Sequence, residues 1–265
     1  MDWWYVRAYP GGSDLMDPAT RVLVPWLRDQ AAREGAGRWF FIRYWDLSGY
    51  HLRLRLSCPP DGVDRLHERV PEVERLLGGL RAEPYEALVR GEFPGTLPSH
   101  RRARPCLYAP ELGKYGGTAG VALAEELFTR GSAWYLDAGV AGLERARARA
   151  GLALAYMRGL VSAALPDPAA FWAAHRRQWG WQLRMAVPGQ EELRERVVRV
   201  HGTPAPGGVD LDGQIANVVE TLDAAEAACV PVTRAELLLN YLHMDLNRWG
   251  FVPAEECLLG LAAAN

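Results

Sequence analysis

Two arginines and a histidine alternate with leucines in one short stretch of the chain. From His51 to Leu56 the sequence reads His-Leu-Arg-Leu-Arg-Leu. Because successive side chains of a β-strand point to opposite faces, this alternation predicts a strand that buries its leucines and holds out His51, Arg53 and Arg55 on its other face. A guanidinium binds a carboxylate through two parallel hydrogen bonds, so this face is a candidate site for an anionic group. The alternative is the ordinary solvated face of a sheet.

A second set of polar residues recurs at helical spacing towards the end of the sequence. Asn240, His243 and Asn247 fall on one face of a helix that begins at a capping box, Thr233-Arg234-Ala235-Glu236. An imidazole titrates near neutral pH, so His243 is a candidate general base or proton shuttle. A structural histidine that is hydrogen-bonded on a helix surface would give the same pattern.

Residues 91–117, between these two segments, are rich in proline and glycine and have no helical or strand period. A segment of that length inside a compact domain is more often functional than a simple connection. It contains the basic cluster His100-Arg101-Arg102-Ala103-Arg104 and ends in Glu111-Leu112-Gly113-Lys114-Tyr115-Gly116-Gly117. Paired glycines permit positive φ before a helix, whose free amides can bind an anion. A structural turn is the alternative explanation for the pair.

The elements around these residues predict an α+β fold. The expected elements of the first part are a strand at Trp3–Tyr9, a helix at Asp17–Arg33, a hairpin of Trp39–Trp45 and His51–Leu56, a helical stretch at Val63–Leu80 and a further strand at Tyr85–Val89. Pro71 should start a new helix or kink the helical stretch, because proline lacks the N–H that a helix interior needs. We expect a small antiparallel sheet with an N-terminal hairpin, packed against a mainly helical C-terminal half, in a single domain of residues 1–265.

After Thr118 the sequence reads mainly as helix. The expected helices lie at Thr118–Arg130, Gly142–Ala164, Pro168–Trp179, Gln190–Val200, Asp210–Ala227 and Thr233–Trp249. Within the second of these, Arg145, Arg147 and Arg149 alternate with alanine. Because alternate positions of a helix point in different directions, we interpret these arginines as solvated surface.

Composition argues against several classes of partner. The formal net charge is -2 over 265 residues, which gives no basic field for nucleic acid. No apolar run is long enough to span a bilayer and no signal-peptide pattern is evident, so we expect a cytoplasmic protein that does not bind membranes. The 4 cysteines lie far apart, which is typical of reduced thiols. Since there is neither a ligand cluster nor a phosphate-binding glycine loop, we expect no metal and no organic cofactor.

Four segments resemble, in the same order, a known series of motifs. They are Trp39–Tyr44, His51–Leu56, Glu111–Gly117 and His243–Arg248. The series belongs to the C-terminal, glutamate-eliminating domain of class I lantibiotic dehydratases and to its stand-alone relatives in thiopeptide biosynthesis. The resemblance covers nearly the whole chain, which is therefore similar to a free-standing member of that family.

The resemblance implies a reaction on a precursor peptide. In this family a serine or threonine of the peptide is esterified by glutamate from glutamyl-tRNA, and the elimination domain expels the glutamate to leave dehydroalanine or dehydrobutyrine. The implied partners are the precursor peptide with its leader and a separate glutamyl-tRNA-dependent glutamylation protein. We assign the catalytic roles to His243, Arg53, Arg55, Glu111 and Lys114. We assign substrate binding to His51, Tyr115, Asn240 and Asn247.

The residue types fit the elimination that the resemblance implies. An α-proton beside an amide is a very weak acid, so its removal needs a positioned base and cations for the developing enolate. His243 would be the base or proton shuttle, and Arg53 and Arg55 would bind the glutamyl carboxylates. Glu111 and Lys114 match the family's Glu-x-x-Arg pair and would orient the substrate or the arginines.

Departures from the family pattern keep a second reaction open. Lys114, the only lysine of the chain, stands where the family usually has arginine, so the charge is kept but the bidentate fork is lost. Asn240 stands where many eliminating members have serine. A related branch of the family closes a pyridine ring from two dehydroalanines by a formal aza-[4+2] cycloaddition, with loss of the leader peptide. That pyridine synthesis is the alternative function, and a non-catalytic peptide-binding subunit is the third.

Overall fold

The computed structural model describes residues 1–84, 86–89 and 100–265, which form two compact units. Of these residues, 1–84, 100–111 and 124–141 belong to the first unit, and 86–89, 112–123 and 142–265 belong to the second. Each unit buries apolar side chains of its own. The expectation of a single domain stays a prediction.

An antiparallel sheet forms the framework of the first unit. In the described part of this unit its strands are β1 (Asp2–Tyr9), β2 (Arg38–Asp46), β3 (Gly49–Cys58) and β4 (Arg102–Pro105), in the spatial order β2-β3-β1-β4. Strands β2 and β3 form the predicted hairpin, with Tyr44 opposite His51. The arginine-bearing strand β3 therefore lies in the interior of the sheet, between β2 and β1.

The leucine face of β3 is buried against a helix. Leu52, Leu54 and Leu56 have no exposed surface, which confirms the alternation seen in the sequence. On the same face, Trp4 of β1 lies opposite Leu56 and contacts the ring of Trp26 at 5.9 Å between centroids. Trp26 belongs to helix α1 (Met16–Arg33), which covers this face as predicted. The opposite face of β3 therefore points away from α1.

The helical stretch after β3 is divided in two, as Pro71 required. Helix α2 (Pro60–Glu68) ends before Arg69, and helix α3 (Val70–Gly78) begins with Pro71 in its first turn. Proline is tolerated there because the first N–H groups of a helix have no partner within the helix.

The prediction of a further strand at residues 85–89 is wrong for the residues that can be described. Residues 86–89 form no strand, and Tyr85 and residues 90–99 lie outside the described residues. Instead, the basic cluster expected in a loop supplies β4, which pairs with β1 and sets Arg104 opposite Arg7. An edge strand buries only alternate side chains, here Ala103, so a short arginine-rich strand has little apolar pattern.

The described second unit is helical. Its helices are α4 (Leu112–Tyr115), the first part of α5 (Gly117–Asp137), α6 (Ala150–Ala164), α7 (Pro168–Ala186), α8 (Gln190–His201), α9 (Leu211–Ala227), α10 (Arg234–Arg248) and α11 (Pro253–Ala263). Helices α5 and α7 are longer than predicted, and α11, which the sequence analysis did not predict, packs against α6, α7 and α8. None of the helices in the described ranges is both long and apolar enough to cross a lipid bilayer. The α+β fold class is confirmed.

The three arginines before α6 do not share one environment. They lie in a short π-helical segment that leads into α6. Arg147 is exposed, as expected, but Arg145 and Arg149 are buried, which corrects their interpretation as solvated surface. Arg145 pairs with Glu255 of α11, and Arg149 donates to the carbonyl oxygen of Trp249 at 3.0 Å. A guanidinium with such partners is stable in a protein interior, and the sequence pattern does not reveal the partners.

Candidate functional site

The sheet face opposite the leucines carries a concentration of arginines. We call it the arginine face, and its members are Arg7, Arg53, Arg55, Arg102 and Arg104. Arg7 of β1 lies opposite Arg53 of β3 on one side and opposite Arg104 of β4 on the other. Directly opposed residues of antiparallel strands project to the same side, and like charges there destabilise the sheet. The arginine face therefore concentrates positive charge at a cost in stability, which favours an anion-binding role.

Aromatic rings and one carboxylate hold these arginines. Asp46 Oδ2 lies 3.3 Å from Arg7 Nη1. Arg38 of β2, which lies opposite Ser57 and projects to the same face, pairs with Glu125 at 2.8 Å. Arg53, Arg55 and Arg102 lie over aromatic rings instead. A guanidinium that stacks on a ring keeps its N–H edge available, so these side chains remain able to bind an anion.

Arg53 is held by a tyrosine ring and a buried histidine. Its guanidinium carbon lies 3.4 Å from the Tyr44 ring centroid, and its Nε lies 3.4 Å from Nε2 of His51. His51 is fully buried instead of being held out, because the rings of Tyr9 and Tyr44 cover it. Burial lowers the pKa of His51 to about 4, so the neutral ring donates from Nδ1 to the Gly49 carbonyl (3.1 Å) and accepts from Arg53. In this structure His51 positions Arg53.

Arg55 lies in an aromatic enclosure. The ring centroids of Tyr5, Phe40 and Tyr108 are 4.9, 5.2 and 4.9 Å from its guanidinium carbon. Burial lowers the pKa of Arg55, yet a guanidinium stays charged in any physiological range. Its Nε has no hydrogen-bond partner among the residues described. Arg55 is thus a partly desolvated cation, and a carboxylate interacts more strongly with such a cation than with one in water.

A second candidate site, in the second unit, is built around His243. We call it the histidine cluster, and it consists of His175 of α7, His243 of α10 and Glu256 of α11. His243 Nδ1 lies 2.7 Å from Glu256 Oε2, and His175 Nε2 lies 3.4 Å from Glu256 Oε1. The side chains of Glu256 and His175 are 0% and 1% exposed, whereas that of His243 is 21% exposed. The carboxylate therefore joins an accessible imidazole to an inaccessible one.

Glu256 is ionised in the folded protein. Burial by itself would raise the pKa of this carboxyl group, but the neighbouring His243 and His175 outweigh burial and lower the pKa to about 2. The carboxylate accepts the Nδ1 proton of His243, which leaves Nε2 of His243 to take up or release a proton. Trp179 stacks on the same ring at 4.7 Å between centroids and restricts its rotation. An oriented imidazole with one accessible nitrogen is the arrangement of a general base.

The histidine cluster contains imidazole and carboxylate groups, which also bind metals. In the described ranges, however, no three or more His, Cys, Asp or Glu side chains are arranged to hold a metal ion. The separation of 2.7 Å between His243 Nδ1 and Glu256 Oε2 is a hydrogen-bond distance, which leaves no room for an ion between these two atoms.

The helical spacing of polar residues points to His243 but not to its partners. Glu256 lies in α11, which was not predicted, and His175 and Trp179 lie on a helix that was read only as secondary structure. Pro253 followed by two glutamates is a helix-start signal that would have revealed α11. No spacing rule connects Glu256 to His243, because the two residues meet only when separate helices pack together.

The residues expected around Lys114 lie beside α10. Asn240 donates from Nδ2 to the main-chain carbonyl of Lys114 at 3.4 Å. The ring of Tyr115 stacks on that of Tyr241 at 6.0 Å between centroids, and the Lys114 ammonium lies 5.3 Å from the Tyr115 centroid. Asn247, further along α10, is partly exposed. The structure thus brings Lys114, Tyr115 and Asn240 together.

The glycine pair after Tyr115 has the backbone geometry that the sequence analysis expected. Gly116 and Gly117 have φ values of 74° and 91°, which other residues rarely adopt. A Cβ at Gly116 would lie 2.5 Å from Cγ1 of Val230. Turn geometry and close packing explain the pair, so its structural interpretation is sufficient.

The predicted site residues divide between the two units. His51, Arg53, Arg55 and Glu111 belong to the first unit. Lys114, Tyr115, Asn240, His243 and Asn247 belong to the second. Glu111 is exposed in the segment after β4. That the two groups act on one substrate stays a prediction.

Comparison with known proteins identifies the family. The family model described as "Lantibiotic biosynthesis dehydratase C-term" matches residues 3–264. The chain belongs to this family. The resemblance seen in the four sequence motifs is thereby confirmed, and the family model spans both units. A search of curated proteins found no match to this chain.

Two solved structures are similar to this lantibiotic dehydratase C-terminal domain. The tRNA-dependent lantibiotic dehydratase MibB from Microbispora sp. 107891 has a TM-score of 0.62 and 22% identity over 100% of this chain and 28% of its own. The pyridine synthase TbtD from thiomuracin biosynthesis has a TM-score of 0.55 and 18% identity over 100% of this chain and 97% of its own. The chain thus spans 28% of the length of the dehydratase. At these identities the likeness is one of fold.

Proposed function

We propose that this chain is an enzyme that matures ribosomally synthesised peptides by eliminating glutamate from glutamylated serine or threonine, leaving dehydroalanine or dehydrobutyrine. Membership of the dehydratase family supports action on a precursor peptide. The observation that carries the proposal is the imidazole of His243: the buried carboxylate of Glu256 orients it through Nδ1, and its Nε2 makes no hydrogen bond to any described residue. Elimination needs such a base, because the α-proton of a peptide residue is a very weak acid.

In the proposed step, His243 Nε2 removes the α-proton of the esterified residue. The electron pair of the Cα–H bond forms the Cα=Cβ double bond, the Cβ–O bond breaks, and glutamate leaves with its new carboxylate carrying the negative charge. The imidazolium that forms on His243 is stabilised by the Glu256 carboxylate at 2.7 Å. Since both charges lie in a largely desolvated site, this stabilisation is greater than it would be in water.

Arg53 and Arg55 are the proposed partners of the glutamyl carboxylates. Both project from the central strand β3, and aromatic rings fix them without neutralising their charge. The departing carboxylate gains charge as the Cβ–O bond breaks, so a fixed guanidinium stabilises the transition state more than the ground state. In this proposal His51 acts on the reaction through Arg53.

The remaining site residues have supporting roles in the proposal. Glu111 and Lys114 orient the substrate or the arginines. Lys114 would bind a carboxylate less specifically than the arginine usual in the family, because an ammonium lacks the two-pronged geometry of a guanidinium. The residues proposed to bind the peptide are Tyr115, Asn240 and Asn247.

The proposed partners are a precursor peptide and a protein that glutamylates it. The dehydratase MibB is described as tRNA dependent, and this chain corresponds to 28% of its length. We propose that this chain performs the elimination step, on a peptide that a glutamylating protein has already esterified.

Incubation of the purified chain with a glutamylated peptide tests the proposal by mass spectrometry. We expect loss of glutamic acid from the peptide, and a rate that falls by about 100-fold or more in His243→Asn, since general-base catalysis contributes roughly that much. The matched control is His67→Asn, which changes an exposed histidine on α2. Release of glutamate at the parent rate by His243→Asn would contradict the assignment of the base.

Pyridine synthesis is the alternative outcome of the same experiment. Incubation with a peptide that carries two dehydroalanines would then consume the peptide and release a shortened leader peptide, while the glutamylated peptide stays intact. Binding of either peptide without turnover would instead indicate the non-catalytic subunit.

A further inference from the structure

The buried end of the histidine cluster has no role in the proposed step. His175 is 1% exposed, so it cannot touch a peptide substrate. It nevertheless reaches the same carboxylate as His243, from the opposite side, with 3.4 Å between its Nε2 and Glu256 Oε1. A buried histidine that faces a buried carboxylate calls for an explanation, because burying polar groups is costly unless they compensate one another.

In the part of the chain that the structure describes, charged groups other than the two imidazoles lie beyond ion-pair distance of the Glu256 carboxylate. The other titratable and charged groups packed around α11 are Arg176 and Arg184 of α7, which act on the Cys257 thiol, Arg145 with Glu255, and Arg158 and His201 at the carbonyls of Ala262 and Ala263. Among the described residues, only His175 and His243 approach the Glu256 side chain within the range of an ion pair. The negative charge of Glu256 is therefore shared between these two imidazoles.

Helix α11 makes room for His175. A Cβ at Gly260 would lie 2.5 Å from both Cε1 and Nδ1 of the His175 ring. Glycine inside a helix is destabilising relative to alanine. At this position the absence of a side chain is what lets the ring lie against α11 and reach Glu256, one helical turn away.

We propose that His175 is a positioning residue which holds the Glu256 carboxylate from behind and thereby sets the protonation of His243. The inference rests on the proposed function only in taking His243 as the reacting base. The electrostatic link between the three side chains itself requires no substrate.

The electrostatic interaction predicts opposite effects on the protonation of His243 when Glu256 or His175 is changed, and a purely structural role would not. Glu256 stabilises the imidazolium of His243, so neutralising Glu256 makes His243 harder to protonate. His175 Nε2 faces the same carboxylate at 3.4 Å without hydrogen-bond geometry, and its electrostatic interaction draws negative charge away from His243. Removing the His175 imidazole therefore makes His243 easier to protonate.

The test compares two variants whose effects should be opposite. In Glu256→Gln we expect the acid limb of the kcat/KM profile for glutamate elimination to move to lower pH, and in His175→Phe to higher pH, each by about one pH unit, as expected for a charge at this distance. His175→Gln keeps an uncharged donor and should move the limb less than His175→Phe. His67→Gln, at an exposed position, should leave the profile where it is.

The same displacements are measured without substrate by NMR titration of the His243 ring protons. Gly260→Ala, which pushes the His175 ring away without changing its chemistry, should resemble His175→Phe, and thermal unfolding shows whether each variant is folded. The inference would be overturned if the His243 titration moved in the same direction in folded Glu256→Gln and His175→Phe, or did not move in either variant. If the titration shows opposite displacements but no chain eliminates glutamate, the proposed function fails and the inference stands.

Discussion

At the scale of single residues, a neutral histidine lies behind a charged arginine. His51 carries no charge because it is fully buried, and its Nε2 accepts from Arg53. The sequence predicted that two arginines and a histidine are held out on one face of β3. The structure instead has two cations, one of which a neutral imidazole holds. A fixed guanidinium loses less conformational entropy when it binds a carboxylate.

The pKa of His51 leads to a prediction about stability. The pKa is about 4 in the folded protein, against 6.5 for the unfolded chain, so the unfolded state binds the extra proton between these values. The contribution of neutral His51 is fully present above pH 6.5 and is lost as the pH falls through about 4. We expect the free energy of unfolding to fall by about 2 kcal/mol from pH 6.5 to pH 5 on this account.

Urea unfolding at several pH values measures this dependence. His51→Phe keeps an aromatic ring but cannot titrate, so its unfolding free energy should change less between pH 6.5 and pH 5 than that of the parent. His67→Gln changes an exposed histidine and should keep the parent's dependence. An unchanged slope in His51→Phe would mean that His51 is not the titrating group.

At the scale of elements, the π-helical segment before α6 holds the start of α11 through a buried ion pair. Arg145 pairs with Glu255, which has no exposed surface and also accepts from the backbone N–H groups of Leu88 (2.8 Å) and Val252 (3.1 Å). Glu255 stands next to Glu256 of the histidine cluster in the sequence. The ion pair therefore fixes the start of the helix that supplies the carboxylate partner of His243.

Two neighbouring arginines allow a matched prediction for this segment. Arg145→Leu leaves the Glu255 charge buried without its cation, so we expect a loss of about 3–5 kcal/mol in the free energy of unfolding. Arg147→Leu removes an exposed charge and should change the free energy of unfolding by about 0.5 kcal/mol or less. Chemical denaturation followed by tryptophan fluorescence measures both, and equal losses would refute the role of the buried pair.

At the scale of the whole molecule, the proposed chemistry draws on both units. The cations Arg53 and Arg55 come from the first unit and the base His243 from the second. A single elimination step needs the base and the carboxylate-binding cations on one substrate. The proposed function therefore predicts a kinetic dependence between residues that are distant in sequence.

A double-mutant cycle tests this dependence. If Arg53 and His243 act in the same step, Arg53→Ala and His243→Asn together should lower kcat/KM by less than the product of their separate effects, with a coupling of about 1 kcal/mol or more. Arg53→Ala combined with Arg147→Leu is the control pair and should be multiplicative. Multiplicative losses for Arg53 and His243 would separate the two residues into independent functions.

The sequence by itself determined the features that depend on local periodicity. Alternation assigned β3 and its leucine face, Pro71 divided α2 from α3, and the capping box marked the start of α10. The same local patterns, with the family motifs, drew attention to Arg53, Arg55 and His243. These features could be predicted because a period fixes which side chains share a face, and because a proline or a capping residue acts on the backbone within its own turn.

Only the tertiary structure decided which groups contact those side chains and how deeply they are buried. A period does not say which face is covered, so the burial of His51 and of Arg145 was missed. Nor does spacing encode contacts between separate helices, so Glu256 and His175 had no signal that tied them to His243. The charge state of a buried group depends on such contacts, since desolvation and the nearest partner decide it.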